Sequence, residues 1–284
     1  MELCSNYYKK WFLNYVSKYG HDSEIIIKRD HSMRVAYYMK EMFSSFGLDN
    51  DYQLLGDFIG LYHDIGRFEQ WKQYHTFYDQ NSVDHADFSV KQLFTYNKIQ
   101  EILFERNYDL IIYNAIKYHN KINLPHKYSI KDESVFTNNV SLKQCVQNYQ
   151  KYLHEYQSIH NLYCMAIRDT DKIDILHQYF ISTYLLKADE LPVSEKIASD
   201  FLTNKPIKKE DRKNVNDSLL LRLAFINDMN LTYSLKVLKE GNYIDKIKEV
   251  YPYIEPVKEY FEHANRRLDE LLEKNKNTQY VLKK

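Results

Sequence analysis

Residues 52–65 read YQLLGDFIGLYHDI and are apolar around nearly the whole circumference of a helix. A helix that is apolar on all sides is buried on most of its surface, so this stretch predicts a core helix. His63 and Asp64 lie at its end. A buried carboxylate without partners is costly, and a metal ion or several hydrogen-bond donors would offset that cost. The stretch therefore predicts both the core of a helical fold and a polar site at one end of it.

Helical periodicity continues on both sides of this core helix. Strand-like alternation is nowhere sustained, and 6 Gly and 5 Pro are too few for a turn-dense sandwich or barrel. Residues 66–81 break the period and predict an irregular loop, after which Ser82 is the expected N-cap of the next helix. The predicted fold class is therefore all-α. The helices expected in the first part of the chain cover residues 2–19, 31–46, 83–95, 108–119 and 142–187.

Pro192 and the polar segment TNKPIKKEDRKN at 203–214 mark the clearest boundary in the chain. We therefore expect a helical domain over 1–187 and a C-terminal helical extension over 188–284.

The extension is expected to hold two amphipathic helices, over 216–240 and 243–274. The segment LLLRLAFIND at 219–228 is apolar enough to be buried. It would be buried either by packing within the chain or in a homodimer interface, and the sequence leaves both open.

Composition excludes several classes of protein. Lys and Arg total 39, as do Asp and Glu, so the formal net charge is zero and no basic stripe points to nucleic acid. No apolar run approaches the ~20 residues that a membrane span needs. Cys4, Cys145 and Cys164 are odd in number and widely spaced, which fits neither a disulfide framework nor a zinc knuckle. We expect a cytoplasmic protein without a membrane or nucleic-acid partner.

The dipeptide His-Asp occurs twice, about as often as chance would produce it in a chain of this composition. Context separates the two copies. His21-Asp22 follows a glycine in a polar stretch, where turn or cap chemistry explains it. His63-Asp64 ends the buried helix, where both side chains need a partner.

Other side chains that can bind metals also lie on apolar helix faces. Taken singly, each is more often a core residue that is satisfied by its neighbours. Together with the buried His-Asp pair they indicate a shared metal site. These side chains are His31, His119 and Asp171.

The series His31, His63-Asp64 and Asp171 resembles the H…HD…D signature of the HD superfamily of metal-dependent phosphohydrolases. Its local strings RDHSMRV, LYHDIGRF and IRDTDKIDIL are similar to the family's motifs, and the last places the ligand at Asp171. The resemblance covers roughly residues 25–180. It implies an HD-domain helical bundle in the first domain and hydrolysis of a small phosphorylated substrate, a nucleotide above all.

By this resemblance, His31, His63, Asp64 and Asp171 would bind a divalent ion, which imidazole and carboxylate ligands leave open among Mn, Fe, Co, Ni, Zn and Mg. Binuclear members carry further histidines between the HD pair and the last aspartate, with the HD aspartate bridging two ions. His85 and His119 fall in that interval. The alternatives for these two are a first-turn residue and a core residue, so one or two ions are expected.

The resemblance also suggests roles in catalysis. Metal-activated water would attack the phosphate, and Asp64 would orient it. Arg67, directly after HD-I-G, and Lys172, beside Asp171, are candidates for holding the phosphate, with salt bridges to neighbouring acids as the alternative. Glu69 is a candidate acid or water-positioning group.

The aromatic residues of 66–81 would either stack a base or pack over the core. Two rival functions remain open. One is an HD-type di-iron oxygenase, and the other is a non-catalytic ligand-sensing HD module. The complete set of His31, His63, Asp64 and Asp171 argues against the second, because a degenerate module is expected to have lost a ligand.

Overall fold

The computed structural model describes residues 4–103, 106–121, 123–124, 153–181 and 190–275. These residues form helices joined by turns, and no strand occurs among them, which confirms the predicted all-α fold. None of the helices in these ranges combines the length and the apolar character needed to cross a membrane.

The described residues fall into two compact units. Those up to Thr170 form the first and those from Asp171 onwards the second, so the division lies within one long helix. The boundary predicted between 187 and 188 lies outside the described ranges and stays a prediction. The helices up to the division are α1 (Ser5–Ser17), α2 (Ser23–Ser45), α3 (Asn50–Tyr62), α4 (Gly66–Tyr74), α5 (His85–Val90), α6 (Ile99–Ile102) and α7 (Asp109–Tyr118), followed by α8 (Leu153–Ile181), which crosses it.

α3 is the core helix that the sequence predicts, and all of residues 55–62 are buried. Its close contact with α2 depends on Gly60. A Cβ at Gly60 would stand only 2.6 Å from the Cα of Ala36, so the two backbones approach in a way that any side chain would prevent. This approach places His31, in the middle of α2, beside the end of α3.

The irregular loop predicted over 66–81 is wrong in its first half, because α4 spans Gly66–Tyr74. The backbone N–H of Gly66 donates to the hydroxyl of Ser89 in α5 at 2.9 Å, which joins the two helices. Gln70 is fully buried. A polar residue on the buried face hides a helix from apolar periodicity, and this explains the error. The helix ends at Tyr74, and its C-cap residue His75 lies in the left-handed region with φ 49°.

The next helix, α5, begins at His85 and has a different cap from the predicted Ser82. Asp84 is its N-cap, and the carboxylate accepts two backbone N–H groups of the first turn at 3.0 Å each. Aspartate caps helices as well as serine does, so the sequence alone could not choose between them. A π-helical turn, Lys91–Thr95, continues the helix.

The second unit interrupts both of its predicted helices. The pattern over 216–240 is broken by a 3-10 turn at Ala224–Asp228, and that over 243–274 by Pro252 and Pro256. Proline lacks the backbone donor that a helix interior needs. The helices of this unit beyond α8 are α9 (Glu195–Leu202), α10 (Val215–Leu223), α11 (Thr232–Glu240), α12 (Tyr243–Val250) and α13 (Lys258–Lys274).

The apolar segment 219–228 is buried by packing within the chain. Leu219, Leu220 and Leu223 are almost fully buried without a second copy of the protein. This favours the intramolecular alternative for that segment, and the homodimer stays a prediction.

Candidate metal centre

Five of the predicted ligands come together at the ends of the first-unit helices. His31 lies within α2, His63 and Asp64 directly follow α3, His85 opens α5 and His119 directly follows α7. All five side chains are buried, with at most 7% of any residue exposed. We call these five residues the cluster.

Asp64 lies between two pairs of histidines. Its Oδ2 is 3.7 Å from His31 Nε2 and 3.8 Å from His63 Nε2. Its Oδ1 is 3.8 Å from His85 Nε2 and 3.7 Å from His119 Nε2. The cluster thus contains two groups of three possible metal ligands, and Asp64 belongs to both.

Hydrogen bonds on the far side of the rings fix which nitrogen is available. His63 Nδ1 lies 2.7 Å from the carbonyl oxygen of Gly60, and His119 Nδ1 lies 2.6 Å from that of Ile116. A carbonyl oxygen only accepts, so each Nδ1 carries the hydrogen and donates it. In the neutral ring, Nε2 then carries a lone pair instead of a hydrogen, which is the form that binds metals.

The histidine pairs have the separation of two ligands on one ion. The Nε2 atoms of His31 and His63 are 3.2 Å apart, and those of His85 and His119 are 3.0 Å apart. Two nitrogens bonded to one ion at about 2.1 Å stand roughly 3.0–3.4 Å apart when the bonds diverge by about 90–110°. Where both nitrogens carry lone pairs, these repel at such distances unless a cation lies between them.

The state of Asp64 fits a metal ligand as well. Burial by itself would raise the pKa of this carboxyl, but Lys28, His63, Arg67 and His85 together hold the pKa well below its usual range. Its Oδ1 is buried and accepts no hydrogen bond. An ionised buried oxygen that accepts no hydrogen bond is costly, and a divalent ion held with His85 and His119 would offset that cost.

Arg67 lies at the cluster but is largely occupied. Its Nη1 donates to Gln70 Oε1 at 2.9 Å, to the carbonyl oxygen of Phe77 at 2.8 Å and to Asp79 Oδ1 at 3.0 Å. Its Nε is 3.6 Å from Asp64 Oδ1 and makes no hydrogen bond. The phosphate contact of Arg67 stays a prediction. In the structure, Arg67 holds the segment between α4 and α5 through its hydrogen bonds to Phe77 and Asp79.

Sequence reasoning missed Asp79. Its Oδ2 accepts from His85 Nδ1 at 2.5 Å, so in the neutral ring His85 Nε2 also carries the lone pair that a metal needs. Carboxylates that orient a ligand histidine in this way are common around metal sites. Asp79 lies in an irregular stretch six residues before His85, and no periodic signal could have found it.

Lys28 was also missed. Its Nζ donates to Asp64 Oδ2 at 2.9 Å. Lys28 precedes His31 by three residues on α2, and positions three apart share a helix face. This spacing is a signal that could have identified it once His31 was recognised.

Glu69 makes no contact with the cluster in the part of the chain that the structure describes. Its Oε2 accepts from the hydroxyl of Tyr19 at 2.8 Å and its Oε1 from Gln73 Nε2 at 2.7 Å. The first bond joins α4 to the turn after α1, and the second lies within α4. Its role as an acid or water-positioning group stays a prediction.

Asp171 and Lys172 belong to the second unit. Asp171 is half-buried, and the ammonium of Lys172 donates to the carbonyl oxygen of Asp228 at 3.2 Å. Asp169 and Asp174 on the same helix are fully buried. The ligand role of Asp171 and the phosphate contact of Lys172 stay predictions.

The other His-Asp pair lies elsewhere. His21 and Asp22 are exposed in the turn before α2, where Asp22 is the N-cap residue. Burial therefore separates the two dipeptides, as their sequence context predicts.

Of the comparisons with known proteins, the one with family models agrees with this geometry. No match to the chain was found among curated proteins or among solved structures. The family model described as HD domain matches residues 29–176, which is just over half of the chain and spans all the predicted ligands from His31 to Asp171. The chain therefore belongs to the HD domain family.

Proposed function

We propose that this protein is a metal-dependent phosphohydrolase that cleaves a nucleotide or another small phosphate ester. The HD family consists mostly of such enzymes. The observation that carries the proposal is the position of Asp64, whose two oxygens each face a different histidine pair. A site with two ions suits phosphate esters, because both the attacking and the leaving oxygen can be stabilised.

The described residues could hold two divalent ions. His31, His63 and Asp64 would hold one, with Asp171 as a further predicted ligand, and Asp64, His85 and His119 would hold the other. When bound, such ions lower the pKa of water toward ~7 and neutralise the charge of phosphoryl oxygens. The chain then needs no serine or cysteine nucleophile.

The surrounding residues keep the ligands in place. Two backbone carbonyl groups and Asp79 each accept a hydrogen bond from the far nitrogen of a ligand histidine. Each imidazole therefore presents Nε2 without rearrangement, which is the preorganisation that catalysis requires. Arg67 holds Asp79 and the carbonyl of Phe77, so the segment between α4 and α5 stays fixed beside the cluster.

Aromatic rings at the edge of the cluster support a nucleotide as substrate. The rings of Trp71 and Phe77 lie 5.1 Å apart between centres. Both side chains are half-exposed, and Tyr78 beside them is exposed. Half-exposed rings next to bound cations can stack on a planar base while its phosphate reaches the metals.

The test is a phosphatase screen over a nucleotide library with Mn, Fe, Co, Ni, Zn or Mg added singly to metal-free protein. We expect release of phosphate with at least one metal. Asp64→Asn, which keeps the shape and removes the charge, should abolish it. A mixed-valence di-iron EPR signal without phosphatase activity would favour an oxygenase and contradict the proposal.

A further inference from the structure

The ammonium of Lys28 contacts the cluster at Asp64. Nζ is 2.9 Å from Asp64 Oδ2, the oxygen that also faces His31 and His63. The side chain is 20% exposed, so it reaches from the protein surface to the buried carboxylate. Nζ is also 5.6 Å from the ring centre of Phe77, within the range of a cation–π contact.

Lys28 differs from Arg67 in how firmly it is held. The Nη1 group of Arg67 contacts three acceptors on α4 and on the segment that follows it. Among the described residues, the ammonium of Lys28 contacts only Asp64 and the ring of Phe77. An ammonium is a compact charge on a flexible four-carbon stem, so it can turn to a new acceptor a few ångströms away.

We propose that Lys28 is the cation that anchors the substrate's phosphate, and that it shares Asp64 Oδ2 with the metal centre. The proposal rests on the proposed function. An ion held by His31, His63 and Asp64 would carry its charge to the oxygen that the ammonium contacts. Like charges a few ångströms apart in a buried site repel strongly. The ammonium can then donate to a phosphoryl oxygen of a substrate bound at the cluster. The contact with the ring of Phe77 keeps the side chain of Lys28 beside the cluster.

This arrangement has two separate consequences for the variant Lys28→Met. The variant loses the competitor for Asp64 and should bind metal more tightly. It also loses a charge-assisted hydrogen bond to phosphate, a loss that corresponds to roughly 10- to 100-fold in affinity. A residue that merely supported the fold would not move these two affinities in opposite directions.

The experiment titrates metal-free protein with Mn²⁺ by calorimetry, and then titrates the Mn²⁺-loaded protein with orthophosphate. It compares wild type, Lys28→Met and Lys28→Arg. Lys40→Met is the control, because it removes the same charge from α2 about 18 Å further along the helix. We expect Lys28→Met to bind the first Mn²⁺ several-fold more tightly and orthophosphate 10- to 100-fold more weakly. Lys28→Arg should retain part of the phosphate affinity, and Lys40→Met should match wild type.

Two results would overturn the role of Lys28 alone. One is an orthophosphate affinity of Lys28→Met within twofold of a wild type that does bind orthophosphate. The other is a loss of Mn²⁺ from Lys28→Met with an unchanged circular dichroism spectrum, which would make Lys28 a support for the ligands. If Mn²⁺-loaded wild type binds no orthophosphate and hydrolyses no ester, the proposed function fails together with the anchoring role.

Discussion

Asp79 shows how a carboxylate beside the cluster can orient a predicted metal ligand. Its carboxylate accepts from His85 Nδ1 and also receives the guanidinium of Arg67. Burial alone would raise the pKa of Asp79, but His85 and Arg67 bring it below its usual range. At neutral pH a charged carboxylate therefore fixes the ring of His85.

We predict that Asp79→Asn weakens the binding of one of two ions. An amide can still contact His85 but no longer attracts its N–H with a full charge, so the ring loses its fixed orientation. Losses of about 10- to 100-fold in affinity are usual for such partners. A Mn²⁺ titration should show this loss at one site and an unchanged affinity at the other. Asp87→Asn, which removes an exposed acid on α5, is the control and should bind like wild type.

Metal ligands and the residues that position them differ in how well a sequence reveals them. His31 and His119 lie on or directly after helices with buried apolar faces, where a polar residue stands out against the period. Asp79 lies in an irregular stretch, and Lys28 is one cation among many on partly exposed helix faces. The role of Asp79 follows from contacts formed only when separate elements meet, so periodicity could not predict it. Lys28 could be identified only after His31, whose helix face it shares.

His160 predicts a dependence of stability on pH that is independent of the metal centre. It is almost fully buried on α8, and burial lowers its pKa from 6.5 to about 4. The unfolded chain takes up a proton as the pH falls through 6.5, whereas the folded chain does so only near 4. The stabilisation is therefore complete above pH 6.5 and is lost as the pH falls toward 4.

The measurement is denaturant unfolding of metal-free protein at pH 7 and pH 5. Between these values, wild type should lose about 2 kcal/mol more stability than His160→Gln. The other histidines titrate equally in both proteins and cancel in the comparison. His21→Gln, at an exposed position, should behave as wild type. An equal loss in His160→Gln would show that His160 does not titrate as its burial implies.

Among the elements, the contact between α2 and α3 decides whether the two histidines of the first pair meet. His31 lies on one of these helices and His63 at the end of the other. The glycines on α3 differ in what a side chain would meet. A Cβ at Gly60 would stand 2.6 Å from a backbone atom of Ala36, whereas at Gly56 it would stand 2.8 Å from the ring of Phe43. A ring can shift, but a helix backbone cannot without moving the whole helix.

We therefore predict that Gly60→Ala is more damaging than Gly56→Ala. Forcing α2 away should cost about 1–3 kcal/mol or more of stability, and it should also weaken Mn²⁺ binding because His31 moves from His63. Gly56→Ala should lower stability with a smaller effect on Mn²⁺ affinity. Denaturant unfolding and Mn²⁺ titration of both variants check this. Equal Mn²⁺ affinities in the two variants would contradict the importance of the α2–α3 distance.

The elements were predictable where burial and apolar periodicity coincide, as in α3 and α7. α4 was missed because its buried Gln70 serves the segment beside the cluster. The long helices expected over 216–240 and 243–274 failed for a local reason. Two prolines interrupt the second, and in the first Asn230 donates to the carbonyl of Asp228 where the 3-10 turn ends, a competition with helical bonding that Asn and Asp favour.

At the scale of the whole molecule, the cluster consists of residues from helices that are distant along the chain. Its five residues run from His31 to His119. Ions that bind only the folded state stabilise it by mass action, by about 2.7 kcal/mol when the free ion is at 100 times its Kd. Ions bound to the cluster should therefore stabilise the folded chain.

We predict that Mn²⁺ at this excess raises the melting temperature of metal-free wild type by roughly 5–10 °C. Asp64→Asn should abolish the increase, because it removes the only charge shared by both histidine pairs. Asp171→Asn should reduce the increase, because the family motif predicts Asp171 as a ligand, whereas Asp174→Asn, the neighbouring buried acid, should leave it intact. Calorimetric melting with and without Mn²⁺ measures all four proteins. A full increase in Asp64→Asn would mean that the ions bind elsewhere, and a loss in Asp174→Asn but not in Asp171→Asn would move the last ligand by one helical turn.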